Sequence, residues 1–404
     1  MKAVMYGGGN IGRGFIGMLF SASGYDVTFV DVVETVVQGL NANHCYPVRI
    51  LSNAGHEDIN VENVSAVNGN DTQAVAEQIA RADIMATAVG VNVLKFIIPN
   101  LVAGIRKRMQ ENGGPLNIII CENLMDANKV LEGMLKAQLT QQEQAWFDEN
   151  IGLVEASIGR MVPVQTEQMK DGNPLRVCVE RYGYLPVDKE AFKGPIPAIK
   201  GMVPFAPFDF YIKRKLYVHN MGHATCAYLG DLLELAYIYQ AIDRDEIYII
   251  VRNAMMESAS ALSRKYGVPL EDIFKHITDL LHRFTNAALQ DTCKRVGGDP
   301  ARKLSPHDRL IGSATLALEV GVTPAYIAIG AAAGLRFYIA QTDGLEQSMA
   351  NAEAVLQQVS GLDTAGELAK LILGMYQMLL NGSSIGQLRR AADEIVAGNT
   401  KNVI

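Results

Sequence analysis

The sequence predicts an α/β chain: a doubly wound parallel sheet followed by a mostly α-helical second domain. Three observations carry that expectation. Short apolar runs alternate with helical segments through the first half of the chain. A glycine-rich turn stands where a first strand would enter a first helix. Beyond about Asp209 the apolar residues recur almost entirely at helical spacing.

The first strand covers residues 2–6, with Ala3-Val4-Met5-Tyr6 as its apolar stretch. It runs into Gly7-Gly8-Gly9-Asn10-Ile11-Gly12-Arg13-Gly14-Phe15-Ile16-Gly17. Gly7, Gly9 and Gly12 have the spacing G-x-G-x-x-G at a strand-to-helix junction, which is what a dinucleotide fingerprint requires. Gly7 permits the tight turn, Gly9 the close approach of a pyrophosphate, and Gly12 tight packing of helix on strand. The helix N-terminus then offers unpaired N–H donors to phosphate. The loop from Gly7 to Gly12, with Gly8, Asn10 and Ile11, is therefore expected to hold the cofactor, with a helix from about Gly12 to Ser23 behind it. A second strand, residues 26–31, ends in Asp31. A carboxylate there, roughly 20 positions past the glycines, suits the ribose hydroxyls of NAD and repels the 2′-phosphate of NADP.

Further along, a helix is expected over Thr72 to Arg81 and strands over residues 83–87, 116–121, 151–154 and 175–179. Residues 183–207 are rich in proline and glycine and read as a linker or an irregular crossover. Helical spacing follows through Leu229 to Tyr239, Ile247 to Leu262, Leu310 to Glu319 and Leu368 to Leu380. Gly267 with Pro269 is a helix stop, and Asn381-Gly382-Ser383-Ser384 is another break. These signals divide the chain into a dinucleotide-binding domain, 1–195, and a helical substrate domain, 196–404, with the active site expected in the cleft between them.

Composition bounds the function classes. A chain of 404 residues exceeds one ordinary core, and 49% apolar with 20% charged residues is the profile of a globular enzyme. The net charge of −7, with no basic block, argues against nucleic acid as a partner. The five cysteines are scattered and lack any C-x-x-C, so neither a disulfide frame nor a zinc site is expected. The N-terminus enters a strand at once, which leaves no room for a signal peptide. The longest apolar run, Pro324 to Leu335, is too short for a bilayer span. A cytoplasmic location without membrane association is the expectation.

The segment Lys213-Arg214-Lys215-Leu216-Tyr217-Val218-His219-Asn220-Met221-Gly222-His223 opens the helical half. On an α-helix Lys215, Asn220 and His223 fall within an arc of roughly 140°. One face would then present an amine, an amide and an imidazole. His219 lies on the same arc, so helical geometry alone does not choose between the histidines. A solvated basic helix start fits the same residues.

The spacing K-x-x-x-x-N-x-x-H at Lys215, Asn220 and His223 resembles the active-site signature of the polyol-specific long-chain dehydrogenases, the mannitol dehydrogenase family. Other blocks resemble that family in the same order: Gly7 to Gly17, Thr87-Ala88-Val89-Gly90, Cys121-Glu122-Asn123, Phe192-Lys193-Gly194, Arg283-Phe284-Thr285-Asn286, Arg302-Lys303-Leu304-Ser305 and Asp308-Arg309-Leu310. The resemblance implies a Rossmann-type first domain that binds NAD, with Val89 added to the cofactor contacts. It implies Lys215 as the general base, Asn123 and Asn220 as donors to the reacting oxygen, and His223 as a substrate-orienting residue. A lysine base must have its pKa brought down from about 10.4 by desolvation and a neighbouring cation, a charge to which Arg214 or His223 would contribute. Such a base requires no metal.

The activity implied is interconversion of a sugar alcohol phosphate and its ketose phosphate, most closely mannitol 1-phosphate and fructose 6-phosphate. A hexuronate (tagaturonate or fructuronate) or a free polyol is the alternative substrate class. An NAD sensor without turnover is a third reading, against which Lys215 and Asn220 together argue. The chain is expected to act as a monomer or a small homo-oligomer. It departs from the family pattern at Gly159, where aspartate is usual, at Gly298 for arginine, Lys213 for glutamate and Asn43 for arginine. These departures bear on the substrate rather than on the chemistry.

Overall fold

A computed structural model describes residues 1–124 and 126–400. The chain divides into two compact units, Met1–Asp209 and Phe210–Ile404.

The strands of the first unit are, in chain order, β1 (Lys2–Tyr6), β2 (Asp26–Asp31), β3 (Cys45–Ser52), β4 (Gly55–Glu62), β5 (Val64–Asn68), β6 (Ile84–Thr87), β7 (Leu116–Ile120), β8 (Ile151–Glu155), β9 (Val177–Glu180), β10 (Leu185–Asp188) and β11 (Met202–Phe205). Six of them form one sheet in the order β5-β2-β1-β6-β7-β8, and every pairing in it is parallel. The strand order reverses direction at β1, between β2 and β6. In an open α/β sheet ligands collect beyond the carboxyl ends of the strands at such a reversal.

Both faces of this sheet are buried, as an all-parallel sheet requires. Ala3 and Met5 of β1 point into one core with Phe15, Ile16, Phe20 and Leu40. Val4 and Tyr6 point into the other with Val75, Ile79, Leu101 and Ile105. Each fully buried aliphatic side chain contributes about 1.5–3 kcal/mol relative to exposure. That alternation fixes the register of β1, because a one-residue slip would exchange its faces.

The helix Thr72–Arg81 occupies the predicted span, and the Asp71 side chain caps it by accepting from the Ala74 N–H at 3.0 Å. Three expectations need correction. The 175–179 run is a strand of a different sheet: β9 pairs with β3, which pairs in turn with β4. The proline-rich 183–207 segment is not merely a linker, since β10 and β11 pair in parallel within it. That pairing keeps β11 in the first unit, so the structural division falls at Asp209 and Phe210 rather than at 195/196. Leu229 to Tyr239 is not one helix. Met221–Leu232 ends before a short break, and Ile238–Ile242 follows.

The second unit is helical throughout its described residues. At its centre the helix Ala325–Gln341 packs on Met221–Leu232 and Asp245–Tyr266. Its small, apolar residues are buried almost all the way round, which marks a core helix. Gly330 faces Thr225 and Gly334 faces Tyr228, so that helix comes close to Met221–Leu232. The run that included Pro324 to Leu335 is thus core, and no described helix is long and apolar enough to cross a membrane.

Candidate active site

The first unit gathers its candidate residues at the carboxyl edge of the parallel sheet. Gly7 follows β1 with φ +101°, and a Cβ there would stand 2.5 Å from the Ala88 carbonyl oxygen beyond β6. Gly12 is as constrained, because a Cβ would meet the Gly7 carbonyl oxygen at 1.9 Å. Only glycine fits either place. Gly9 and Asn10 are exposed at the loop apex, and nothing stands within 4 Å of where a Gly9 Cβ would be. That open approach is the space a pyrophosphate needs, so the residues present fit a dinucleotide. Ile11 is half-buried and packs against the first core. Residues Gly12–Gly17 form a π-helical stretch that continues as the α-helix Met18–Ala22.

Asp31 ends β2 half-buried. Its Oδ2 accepts the Gly8 N–H at 2.6 Å and its Oδ1 the Val33 N–H at 2.8 Å. Each carboxylate oxygen keeps further acceptor capacity for a ribose hydroxyl. Val89 lies half-buried past β6, in a loop held by a residue to which the sequence assigns no role. Both oxygens of buried Glu122 accept backbone N–H groups, from Val89 at 2.9 Å and Gly90 at 2.8 Å. Asn123, next to it beyond β7, is exposed. Glu122 stands in the Cys121-Glu122-Asn123 block without an assigned role, and a carboxylate just past the mostly apolar β7 is its local signal.

In the second unit the segment Arg214–Asn220 is π-helical, between the α-helices Asp209–Lys213 and Met221–Leu232. π-Helical turns appear often at functional sites. The α-helical arc expected from the sequence is replaced by a wider turn. Lys215 and Asn220, five positions apart, span one i→i+5 turn and so share a side of the helix. Both are half-buried, and neither side chain has a hydrogen-bond partner among the described residues.

Burial lowers the Lys215 pKa to about 8, and the Arg309 charge pushes in the same direction. The sequence points to Arg214 or His223 as a contributor of that charge. Arg309 supplies it from far along the chain, which no local pattern reveals.

His223 Nε2 lies 3.3 Å from Asp291 Oδ2, and its ring stacks on Phe284 at 4.8 Å. Burial opposes ionisation of Asp291, yet His223 and Arg295 outweigh it and hold the carboxyl below its ordinary pKa. His219 differs. It is buried, and desolvation first, then the charge of Arg283, lowers its pKa well below the usual histidine range, so it stays neutral.

The departures from the family pattern have local explanations in part. At Gly159 the Tyr182 ring fills the space a side chain would take, with Cε1 3.0 Å from a Cβ position. Lys213 reaches the Tyr266 ring, its Nζ 5.8 Å from the centroid. Asn43 bonds the Gly39 carbonyl at 2.9 Å. Gly298 ends a short helix, and a Cβ there would meet the Arg295 carbonyl oxygen at 3.2 Å. Among the described residues no group of three or more His, Cys, Asp or Glu is placed to hold a metal ion.

Comparison with known proteins accords with these two units. Residues 1–201 match the mannitol dehydrogenase Rossmann domain, and residues 208–373 the mannitol dehydrogenase C-terminal domain. A mannitol-1-phosphate 5-dehydrogenase of Brevibacillus brevis is 40% identical over 337 residues, 83% of this chain and 86% of that protein. In fold, the chain is similar to Pseudomonas fluorescens mannitol 2-dehydrogenase, solved in a ternary complex with NAD and D-mannitol. That likeness has a TM-score of 0.74 at 14% identity, covering 97% of this chain and 94% of that one. A substrate-free D-sorbitol dehydrogenase gives a TM-score of 0.76 at 15% identity, covering 96% and 94%. The glycine-rich turn, the Lys215 segment and both domain matches lead to one conclusion: the chain belongs to the mannitol dehydrogenase family.

Proposed function

We propose that this protein is an NAD-dependent oxidoreductase interconverting D-mannitol 1-phosphate and D-fructose 6-phosphate. The observation that carries the reading is Lys215, whose pKa burial and Arg309 bring to about 8. A side chain so tuned exchanges a proton near neutral pH, as a general base must. Family membership and the 40% identical mannitol-1-phosphate 5-dehydrogenase support the substrate.

In the oxidation, neutral Lys215 takes the proton of the substrate hydroxyl. Asn220 and Asn123 donate amide N–H groups to the oxygen as it gains alkoxide character, and release it as it becomes a carbonyl. His223 orients the substrate. With Nε2–H donated to Asp291, its Nδ1 is left to accept a substrate hydroxyl. The Gly7–Gly12 loop, Asp31 and Val89 would hold NAD, which would supply a hydride acceptor there. In the reverse direction protonated Lys215 returns its proton to the carbonyl oxygen. No metal is required, because the lysine itself accepts the proton.

NADH oxidation measured in parallel with fructose 6-phosphate, fructose, tagaturonate and fructuronate tests the reading. Fructose 6-phosphate is expected to have the highest kcat/KM. A higher value for fructose or for either hexuronate would replace the substrate proposed here.

A further inference from the structure

We propose that Arg13 is a positioning residue for the cofactor: its guanidinium holds the Gly8 carbonyl and so turns the Gly9 N–H outward, to where the pyrophosphate lies. The inference rests on the reading that the Gly7–Gly12 turn holds that pyrophosphate.

Three glycines in a row, Gly7 to Gly9, give the turn little conformational preference of its own. Side chains from outside the turn fix it instead. Asp31 Oδ2 accepts the Gly8 N–H at 2.6 Å, and Arg13 Nε donates to the Gly8 carbonyl at 2.6 Å. Two successive peptide groups, Gly7–Gly8 and Gly8–Gly9, are thereby held, each by one side chain. The N–H and C=O of a trans peptide point opposite ways. A Gly8 carbonyl drawn toward buried Arg13 therefore sends the Gly9 N–H away from the interior. That N–H has no hydrogen-bond partner among the described residues, and Gly9 itself is exposed.

Arg13 is anchored away from the main sheet. Its Nη1 donates to the carbonyl of Leu175, just before β9, and its own carbonyl accepts the Tyr46 hydroxyl of β3 at 2.7 Å. Gly14 permits that approach, since a Cβ there would stand 2.8 Å from the Val177 and Val179 side chains of β9. The small β4-β3-β9 sheet thus backs the glycine turn through Arg13. The guanidinium is only 7% exposed and has no carboxylate within ion-pairing distance among the described residues. Burial lowers its pKa, against the influence of Tyr46 and Asp31. A charge kept from water in this way is unfavourable unless it is well bonded, and its bonds go to the Gly8 and Leu175 carbonyls.

Without Arg13 the buried Gly8 carbonyl loses its donor, and the turn relieves that by rotating the Gly8–Gly9 peptide toward water. The cofactor then binds only the fraction of molecules in the native orientation, and its apparent affinity falls by that fraction.

Arg13→Met, Arg13→Gln and Arg13→Lys separate the bond from the charge. A glutamine amide nitrogen stands as many bonds from the backbone as arginine Nε, so it can donate to the Gly8 carbonyl without a charge. Methionine has a methyl group in that place, and lysine keeps the charge but carries its nitrogen one bond further out. NADH affinity is measured by fluorescence titration, independently of turnover, with Tm alongside. Arg13→Met is expected to bind NADH roughly tenfold to hundredfold more weakly, the range for losing one hydrogen bond to a charged group, and Arg13→Gln to stay within about threefold of native. Arg13→Lys is expected to bind more weakly than Arg13→Gln. A merely structural role would lower Tm in all three without separating their affinities.

Gly9→Ala tests the underlying reading separately, because it fills the open approach to the turn and meets nothing in the protein. If Gly9→Ala weakens NADH binding while Arg13→Met leaves it unchanged, the turn holds the cofactor and the role given to Arg13 is wrong. An equal loss in Arg13→Met and Arg13→Gln, or tighter binding by Arg13→Lys than by Arg13→Gln, would also overturn the proposal. Native affinity in Gly9→Ala would overturn both.

Discussion

Asp31 accepts the backbone N–H of Gly8 at 2.6 Å, so the carboxylate that would select the ribose is bonded to the turn that would hold the pyrophosphate. The two parts of the cofactor site are thereby fixed to each other. A 2′-phosphate brought to Asp31 meets a negative charge held in place and unable to swing aside.

NAD(H) should accordingly be preferred to NADP(H) by well over tenfold in kcat/KM, more than about 1.4 kcal/mol of discrimination. Steady-state kinetics with both cofactors check it. Equal values would mean that Asp31 does not meet the ribose.

Glu122 is expected to act through the loop it holds. Glu122→Gln replaces one acceptor of the Val89 and Gly90 N–H groups by an amide donor, which costs about 1–3 kcal/mol if a buried N–H is left unpaired. NADH affinity, measured by fluorescence titration, should weaken roughly tenfold or more, by the same energy converted at 1.4 kcal/mol per tenfold. An unchanged Kd would show that the loop does not depend on this carboxylate.

Prolonged dialysis against a chelator should leave activity intact, since Lys215 accepts the proton without a Lewis acid. Activity lost with chelator and restored by zinc would remove Lys215 from its assigned role.

The two histidines should separate cleanly. His223→Ala should raise the KM for the sugar substrate, because it removes the ring paired with Asp291. His219→Ala should act mainly on stability, through loss of a buried, neutral ring packed near Phe284. A large fall in kcat at His219 with little effect at His223 would reverse the assignment.

Much of the first unit was legible because its signals are local. The helix Thr72–Arg81 announces itself through an Asp71 cap and an apolar face, and Gly7 and Gly12 through spacing that only a tight strand-to-helix turn demands. Strand partners are not local. The apolar run in β9 reads the same whether it joins the main sheet or, as it does, β3. The β3–β4 hairpin escaped notice because β4 is largely exposed and polar, without an apolar alternation to mark it. At the candidate site the residue types were readable around Lys215, but their setting was not. The π-helical turn is invisible to a 100° periodicity, and Arg309, Asp291 and Glu122 reach their partners through tertiary folding.

The pKa of Lys215 gives the reaction a pH dependence of definite sign. Its neutral form grows as pH rises through about 8, so oxidation of the alcohol should rise over that range. Reduction needs the protonated form and should fall over the same range. Both limbs should report one apparent pKa, and profiles flat between pH 7 and 9 would contradict the assignment.

The most direct test of the account is kcat of Lys215→Ala, with NADH affinity measured alongside. Removal of a general base costs roughly 10²–10⁴-fold in rate, and that loss is expected here with near-native NADH binding, because the Gly7–Gly12 loop is untouched. A Lys215→Ala enzyme that kept more than about a tenth of the native kcat, well short of the general-base range, would contradict the proposed mechanism.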